Sequence, residues 1–171
     1  MSTKGIQRPP MGALAGFTLI ELVIVILILG ILAAVAVPRY LDLRSQARSA
    51  QLQGVFSAAQ SAATVVFSAC VVDPVCNPGL PGDNSAQTRV CAQASCGPGE
   101  FINTHYGYPN ATEPGIVRAL ILQGVRFTGG GTQINLRPEE MTSNLNGCRV
   151  QYFQSNGPGQ RPDVVLHRSA C

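Results

Sequence analysis

Two groups of residues in this 171-residue chain have the types and spacing to do chemistry. The first is a single carboxylate, Glu21, the only ionisable side chain between Gly16 and Arg39. A charge in such an apolar run costs roughly 3 kcal/mol on insertion scales and is retained where it has a partner. Glu21 is therefore a functional candidate on physical grounds. The alternative is that its side chain only reaches the membrane interface and has no further role.

The second group comprises six cysteines, all downstream of the apolar run. An even number of cysteines in a small, loop-rich region predicts disulfides in an oxidising compartment. A zinc site is the alternative, because four of the cysteines fall into two pairs. Their spacing within each pair fits structural zinc sites less well. The six residues are Cys70, Cys76, Cys91, Cys96, Cys148 and Cys171.

The sequence contains none of the familiar motifs for catalysis or metal binding. His105 and His167 lie far apart in the sequence, and each is expected to be an exposed residue. Glu139 and Glu140 are consecutive, so their side chains diverge on a helix and face opposite sides on a strand. We therefore predict no enzymatic activity, no cofactor and no metal site.

One element must position Glu21, and it is a long apolar helix. The 21 residues from Phe17 to Val37 form a helix about 31 Å long if regular, which is enough to cross a bilayer core. An ordinary secretory signal is an alternative reading, with Ala34-Val35-Ala36 as its cleavage site. The acid at Glu21 and the apolar residues upstream of it argue against that reading.

The run GFTLIELVIVILILGILAAVAVP, from Gly16 to Pro38, closely resembles the N-terminal segment of the type IV pilin family. The resemblance implies that a prepilin peptidase cuts between Gly16 and Phe17 and methylates the new amino group of Phe17. It also implies that Glu21 neutralises the Phe17 ammonium of a neighbouring subunit in a filament. Both charges are costly alone in a low-dielectric bundle and tolerable together.

This resemblance implies a division of the chain into a cleaved basic leader (residues 1–16), a transmembrane and filament-core helix (17–38), and the second half of the helix with a disulfide-bonded globular head (39–171). The implied function is a structural subunit that polymerises into an extracellular pilus for attachment or motility. Its implied partners are copies of itself, prepilin peptidase and the pilus assembly machinery of the inner membrane, where the precursor resides. The alternatives are a pseudopilin of type II secretion and a membrane-tethered binding module that does not polymerise.

Net charge sets one further expectation. The chain has 12 basic residues against 9 acidic ones, and loss of Lys4 and Arg8 with the leader makes the product nearly neutral. A basic face for nucleic acid is therefore not indicated.

Gly30 and Pro38 are the weak points of the apolar helix, with a kink expected near Val35 to Pro38. The resemblance suggests that the stretch from Gly30 to Pro38 is partly extended in the filament.

The helical pattern continues beyond Pro38 to about Ala69, with apolar residues at three- and four-residue steps: Leu52, Val55, Ala59, Ala62, Val66 and Ala69. Little regular structure is expected from Cys70 to Gly115, because Pro, Gly and Asn are frequent there. The segment containing Tyr-Gly-Tyr-Pro resembles pilins of the mannose-sensitive haemagglutinin type. A short helix is predicted from Glu113 to Gln123, capped by Thr112.

The rest of the chain predicts an antiparallel sheet with one buried face, so the fold class is α+β with the long helix packed across the sheet. The predicted strands are Val125 to Thr128, Thr132 to Leu136, Arg149 to Gln154 and Asp163 to Arg168.

A disulfide between Cys148 and Cys171 is expected, because a hairpin centred on Gly159 and Gln160 places the two residues opposite each other. The pilin family also commonly has a disulfide-bounded C-terminal region. The loop Ser155 to Pro162 inside it is a candidate contact surface, or equally a solvated turn. The other four cysteines permit three pairings, of which the most local joins Cys70 to Cys76 and Cys91 to Cys96.

Overall fold

A 54-residue helix, α1 (Leu19–Val72), dominates the computed structural model, which describes residues 16–82, 88–91, 97, 100–120, 122–141 and 147–171. The helix is continuous through Gly30 and Pro38, the two predicted weak points. The chain divides into two compact units, Met1–Asp42 and Leu43–Cys171. We call residues 16–42 the N-terminal segment and Leu43–Cys171 the head. The predicted leader falls outside the described residues except for Gly16.

Within the head, α1 buries a stripe of small and aliphatic side chains. The predicted stripe was right at four positions and wrong at two, because Ala62 and Ala69 are only half-buried and Ala63 and Cys70 take their places. The five predicted steps from Leu52 to Ala69 average about 3.4 residues, and such a series drifts around a helix that has 3.6 residues per turn. The observed stripe keeps to one face, and its members are Leu52, Val55, Ala59, Ala63, Val66 and Cys70.

The larger sheet of the head confirms the predicted antiparallel sheet and the α+β fold class. It has four strands in the order β4-β5-β6-β7. Its inner face packs on the α1 stripe and forms the main core, in which Ile134, Leu136, Val150 and Tyr152 are buried with Leu52. The strands are β4 (Val125–Gly129), β5 (Gln133–Pro138), β6 (Arg149–Phe153) and β7 (Asp163–His167).

A second, smaller sheet was not predicted. It has the order β1-β2-β3 and lies in the stretch where little regular structure was expected. Its hairpin turns at Tyr106 and Gly107, which both have positive φ, as tight hairpin turns require. A side chain at Gly107 would come within 2.9 Å of Pro78, so glycine is needed there. The strands are β1 (Arg89–Val90), β2 (Ile102–His105) and β3 (Tyr108–Pro109).

The helix predicted from Glu113 to Gln123 was wrong in type and length. A π-helical segment spans Glu113–Val117, and helical geometry ends by residue 119. Gly115 has non-helical dihedral angles (φ −98°, ψ −108°), and a β-carbon there would collide with Asn110. Thr112 precedes the segment but forms no side-chain cap, because its hydroxyl donates to the Asn110 side chain instead.

Two disulfides have both partners within the described residues. Cys70 bonds to Cys76, and Cys148 bonds to Cys171. Cys91 is also disulfide-bonded, whereas its predicted partner Cys96 lies outside the described residues. Because three of the four cysteines of the zinc hypothesis are oxidised in this structure, they have no thiolates for a zinc ion.

The hairpin register that was predicted to place Cys148 directly opposite Cys171 was wrong. Strand β6 pairs Arg149 with His167, so Cys148 comes opposite Arg168 rather than Cys171. A turn after β7 returns the chain, and the Ala170 N–H donates to the Gly147 carbonyl at 3.0 Å. The turn brings the Cα atoms of Cys148 and Cys171 within 4.8 Å of each other.

Candidate functional site

The N-terminal segment begins with a capped helix end. The backbone N–H of Glu21 donates to the Thr18 hydroxyl oxygen at 3.3 Å, and that hydroxyl lies 3.4 Å from a Glu21 carboxylate oxygen. Thr18 is thus the N-cap of α1, and Glu21 lies three residues later, as in a capping box. The cap holds the Glu21 carboxylate beside the first turn, where the partial positive charge of the helix end favours an anion.

Sequence reasoning identified Glu21 but assigned no role to Thr18. The signal was present as Thr-x-x-Glu immediately before an apolar run, which is the pattern of a helix N-terminus. The predicted helix began at Phe17, whereas α1 begins at Leu19. Gly16 and Phe17 therefore precede the helix. The peptide bond at which cleavage is predicted therefore lies in non-helical backbone.

The side chains around Glu21 are apolar and exposed. Every residue from Gly16 to Leu43 is exposed, and Phe17 retains 83% of its accessible surface. Among the described residues, α1 is the one helix long and apolar enough to cross a membrane, and its most apolar window is not buried at all. An apolar surface of this size needs lipid or protein around it.

Glu21 forms no ion pair within the part of the chain that the structure describes. The exposed Glu140, by contrast, lies 3.5 Å from Arg44 and 3.8 Å from Arg48 of α1.

The other predicted candidates do not gather into a site. His105 lies in the small sheet, where its Nδ1 accepts a hydrogen bond from the Gly82 N–H at 2.7 Å, and His167 lies in β7 of the larger sheet. Burial lowers the pKa of His105. No group of three potential metal ligands occurs among the described residues.

The described structure thus defines a class of protein. It has an α+β head and, before it, an exposed apolar helix with a capped N-terminus and one carboxylate near its start. The comparisons with known proteins agree with this class. Residues 13–37 match the family model described as the prokaryotic N-terminal methylation motif.

Curated relatives align over longer stretches, of 52 to 62 residues. The type IV narrow pilus major component PilA5 of Thermus thermophilus is 47% identical over 62 residues, which are 36% of this chain and 53% of that protein. The type IV major alpha-pilin of Moraxella bovis is 50% identical over 52 residues, 30% of this chain and 33% of that pilin. A fimbrial protein of Pseudomonas aeruginosa is 47% identical over 53 residues, 31% of this chain and 34% of that protein.

These matches show the likeness to type IV pilins that the sequence analysis stated. The chain spans about half or less of the length of the curated relatives it matches, and most of the chain lies outside the alignments. The comparison with solved structures finds no match. The narrower resemblance to pilins of the mannose-sensitive haemagglutinin type stays a prediction.

Proposed function

We propose that this chain is the precursor of a structural subunit that polymerises into a type IV pilus. The observation that carries the proposal is the uncovered apolar helix with one carboxylate near its N-terminus. The same surface can be covered first by lipid and later by equivalent helices of neighbouring subunits. The precursor then resides in the inner membrane, and the filament is extracellular.

Processing follows from the arrangement at the start of the helix. Prepilin peptidase removes residues 1–16 by cutting between Gly16 and Phe17, and the new amino group of Phe17 is methylated. A β-carbon added at Gly16 would meet no other atom within 4 Å, so the protein's own fold does not require glycine there. A requirement for glycine would come from the peptidase, and a bulky residue at this position is expected to block cleavage without disturbing the fold.

Assembly requires Glu21 in this proposal. The ammonium of Phe17 on one subunit and the Glu21 carboxylate of its neighbour remove each other's desolvation cost in the filament core. Residues from Gly30 to Pro38 are helical before assembly and loosen inside the fibre. The assembly machinery of the inner membrane brings the subunits together, and no enzymatic step belongs to the subunit itself.

The structure allows the charge of Glu21 to be separated from its capping role. Glu21→Gln removes the charge but keeps an oxygen that can accept from Thr18, whereas Thr18→Val removes the hydroxyl and keeps the charge. We expect Glu21→Gln to insert in the membrane normally and to lose filaments. Thr18→Val is expected to retain them, because loss of one cap costs only about 1 kcal/mol.

Electron microscopy of sheared surface material gives the readout, with membrane extracts as the control for expression. Wild-type cells should yield long fibres that contain this chain. Short fibres or none from wild-type cells would instead favour the pseudopilin or the tethered module. Filaments at wild-type levels from Glu21→Gln would contradict the assembly role of the charge.

A further inference from the structure

Two side chains of opposite charge lie at one end of the larger sheet without a partner in their own copy. Glu139 directly follows β5, and Arg168 directly follows β7. Both are exposed, and neither side chain forms a hydrogen bond or an ion pair with another described residue. Because β5, β6 and β7 pair in antiparallel register, the two residues stand at the same end of the sheet.

The groove beside Arg168 is lined by polar side chains of α1. Ser49 and Gln53 line it, together with Arg168 and Cys171. The Cys171 N–H donates to the Arg168 carbonyl at 3.4 Å, and the disulfide from Cys148 to Cys171 holds this turn in place. The backbone that carries Arg168 is thus fixed, while its side chain stays in solvent. We call Ser49, Gln53 and Arg168 the basic flank.

A second groove beside α1 is bounded by a hydrogen-bonded turn. The Met141 N–H donates to the Pro138 carbonyl at 3.1 Å, which places Glu139 and Glu140 at the two central positions of the turn. Glu140 forms ion pairs with two arginines of α1 in the same copy, so its charge is balanced within the head. The charge of Glu139 is not. We call Glu139 and Gln51, which lines the same groove, the acidic flank.

The two flanks lie on opposite sides of α1 and at the same level along it. Leu52 points into the core between them. At about 100° of rotation per residue, Ser49 and Gln53 lie to one side of Leu52, and Gln51 lies to the other. The axial distance from Gln51 to either Ser49 or Gln53 is only about 3 Å. A copy placed beside the first, with its α1 parallel, therefore brings its acidic flank against the basic flank.

We propose that the heads of adjacent subunits contact each other through these flanks, with Arg168 of one copy paired to Glu139 of the next. An arginine fork can donate two parallel hydrogen bonds to one carboxylate, which fixes the relative orientation of the two heads. Each copy carries both flanks, so the contact is heterologous and repeats from copy to copy, as an open filament requires. The inference rests on the proposed filament and adds a specific contact between heads to it.

Carbodiimide cross-linking of sheared fibres tests this contact. The one lysine of the chain is Lys4, in the predicted leader, so Arg168→Lys gives the processed chain a single side-chain amine. A water-soluble carbodiimide joins that amine to a carboxylate only where the two groups touch. Arg161→Lys is the matched control, because it places an amine at another exposed position of the head. Arg168→Lys/Glu139→Gln removes the proposed acceptor, and wild-type fibres give the background from the amino terminus.

We expect fibres of Arg168→Lys to give a ladder of linked dimers and higher oligomers on denaturing gels. Peptide mapping should place the amide between position 168 and Glu139, and the control and the double variant should lack this linked peptide. The charge reversals Arg168→Glu and Glu139→Arg should each lower fibre yield about fivefold, because repulsion replaces attraction. Their combination should restore the yield.

Fibres that form without this amide, or reversals that leave the yield unchanged, would overturn the contact while the filament stands. Linkage of position 168 to a different acid would overturn the choice of Glu139. Absence of fibres from wild-type cells would overturn the proposed function, and the contact with it.

Discussion

The two disulfides of known pairing should contribute unequally to the stability of the head. Cys148 and Cys171 are 23 residues apart, whereas Cys70 and Cys76 are 6 apart. A cross-link removes more conformational freedom from the unfolded chain when it closes a longer loop. The perturbation is removal of each pair by double alanine substitution. Alanine avoids leaving a hydroxyl group at Cys70, Cys76 and Cys148, which are buried, and at Cys171, which is half-buried.

The chain-entropy relation gives about 3.4 kcal/mol for the 23-residue separation and about 2.2 kcal/mol for the 6-residue separation at 25 °C. Each double variant deletes two sulfur atoms from buried or half-buried positions, so the cavity terms are of similar size and largely cancel in the comparison. The difference to be measured is therefore about 1.2 kcal/mol in the free energy of unfolding.

Urea unfolding in nonionic detergent, followed by circular dichroism of the helix and the sheet, measures both free energies. The wild type under reducing conditions is the control, and it should be less stable than either oxidised double variant. Equal losses, or a larger loss for Cys70→Ala/Cys76→Ala, would refute the argument from loop length. That outcome would indicate that local packing around Cys70, and not loop length, determines how much each disulfide contributes to the free energy of unfolding.

Two further predictions concern the small sheet. The Tyr152 hydroxyl is buried and donates to the Pro109 carbonyl at 2.6 Å, which joins β6 to β3. Tyr152→Phe should therefore lower the free energy of unfolding by about 1.5 kcal/mol in urea titrations, and an unchanged value would show that the bond is not needed. Burial lowers the pKa of His105 in the folded protein. Neutral His105 therefore favours the folded state at pH values above its unfolded-state pKa of about 6.5. This contribution to stability is lost as the pH falls through the lower pKa that His105 has in the folded state. Thermal midpoints between pH 8 and pH 5 should fall less steeply in His105→Gln than in His167→Gln, and parallel slopes would contradict that role.

The sequence predicted the structure best where apolar and polar residues alternate with the two-residue period of a strand. The four strands of the larger sheet were placed within two residues because apolar and polar side chains alternate there. The α1 stripe was placed less well, since steps that average about 3.4 residues select Ala62 and Ala69, whereas the 3.6-residue turn of the helix keeps Ala63 and Cys70 on the buried face.

Features that depend on contacts distant in sequence were not predictable in the same way. Phe67 and Pro78 leave no room for a side chain at Gly107 of the hairpin turn, and a window of local sequence does not contain them. The ring of Tyr108 stacks on Phe67 with centroids 4.4 Å apart and adds to the same packing. The small sheet depends on these contacts, and its strands are as short as two residues.

In the candidate site, Glu21 was evident from the sequence as the single charge in an apolar run. The role of Thr18 was missed, although the Thr-x-x-Glu pattern of a helix N-terminus was present. The helix was expected to begin at Phe17, whereas α1 begins at Leu19.

The central claim is that this chain is processed at Gly16 and assembled into a filament through an uncovered helix. Intact-mass measurement on the chain recovered from sheared surface fibres tests it most directly. The account predicts a mass that begins at Phe17, carries one methyl group and shows all six cysteines oxidised. A chain that begins at Val37, or one that retains residues 1–16, would contradict it.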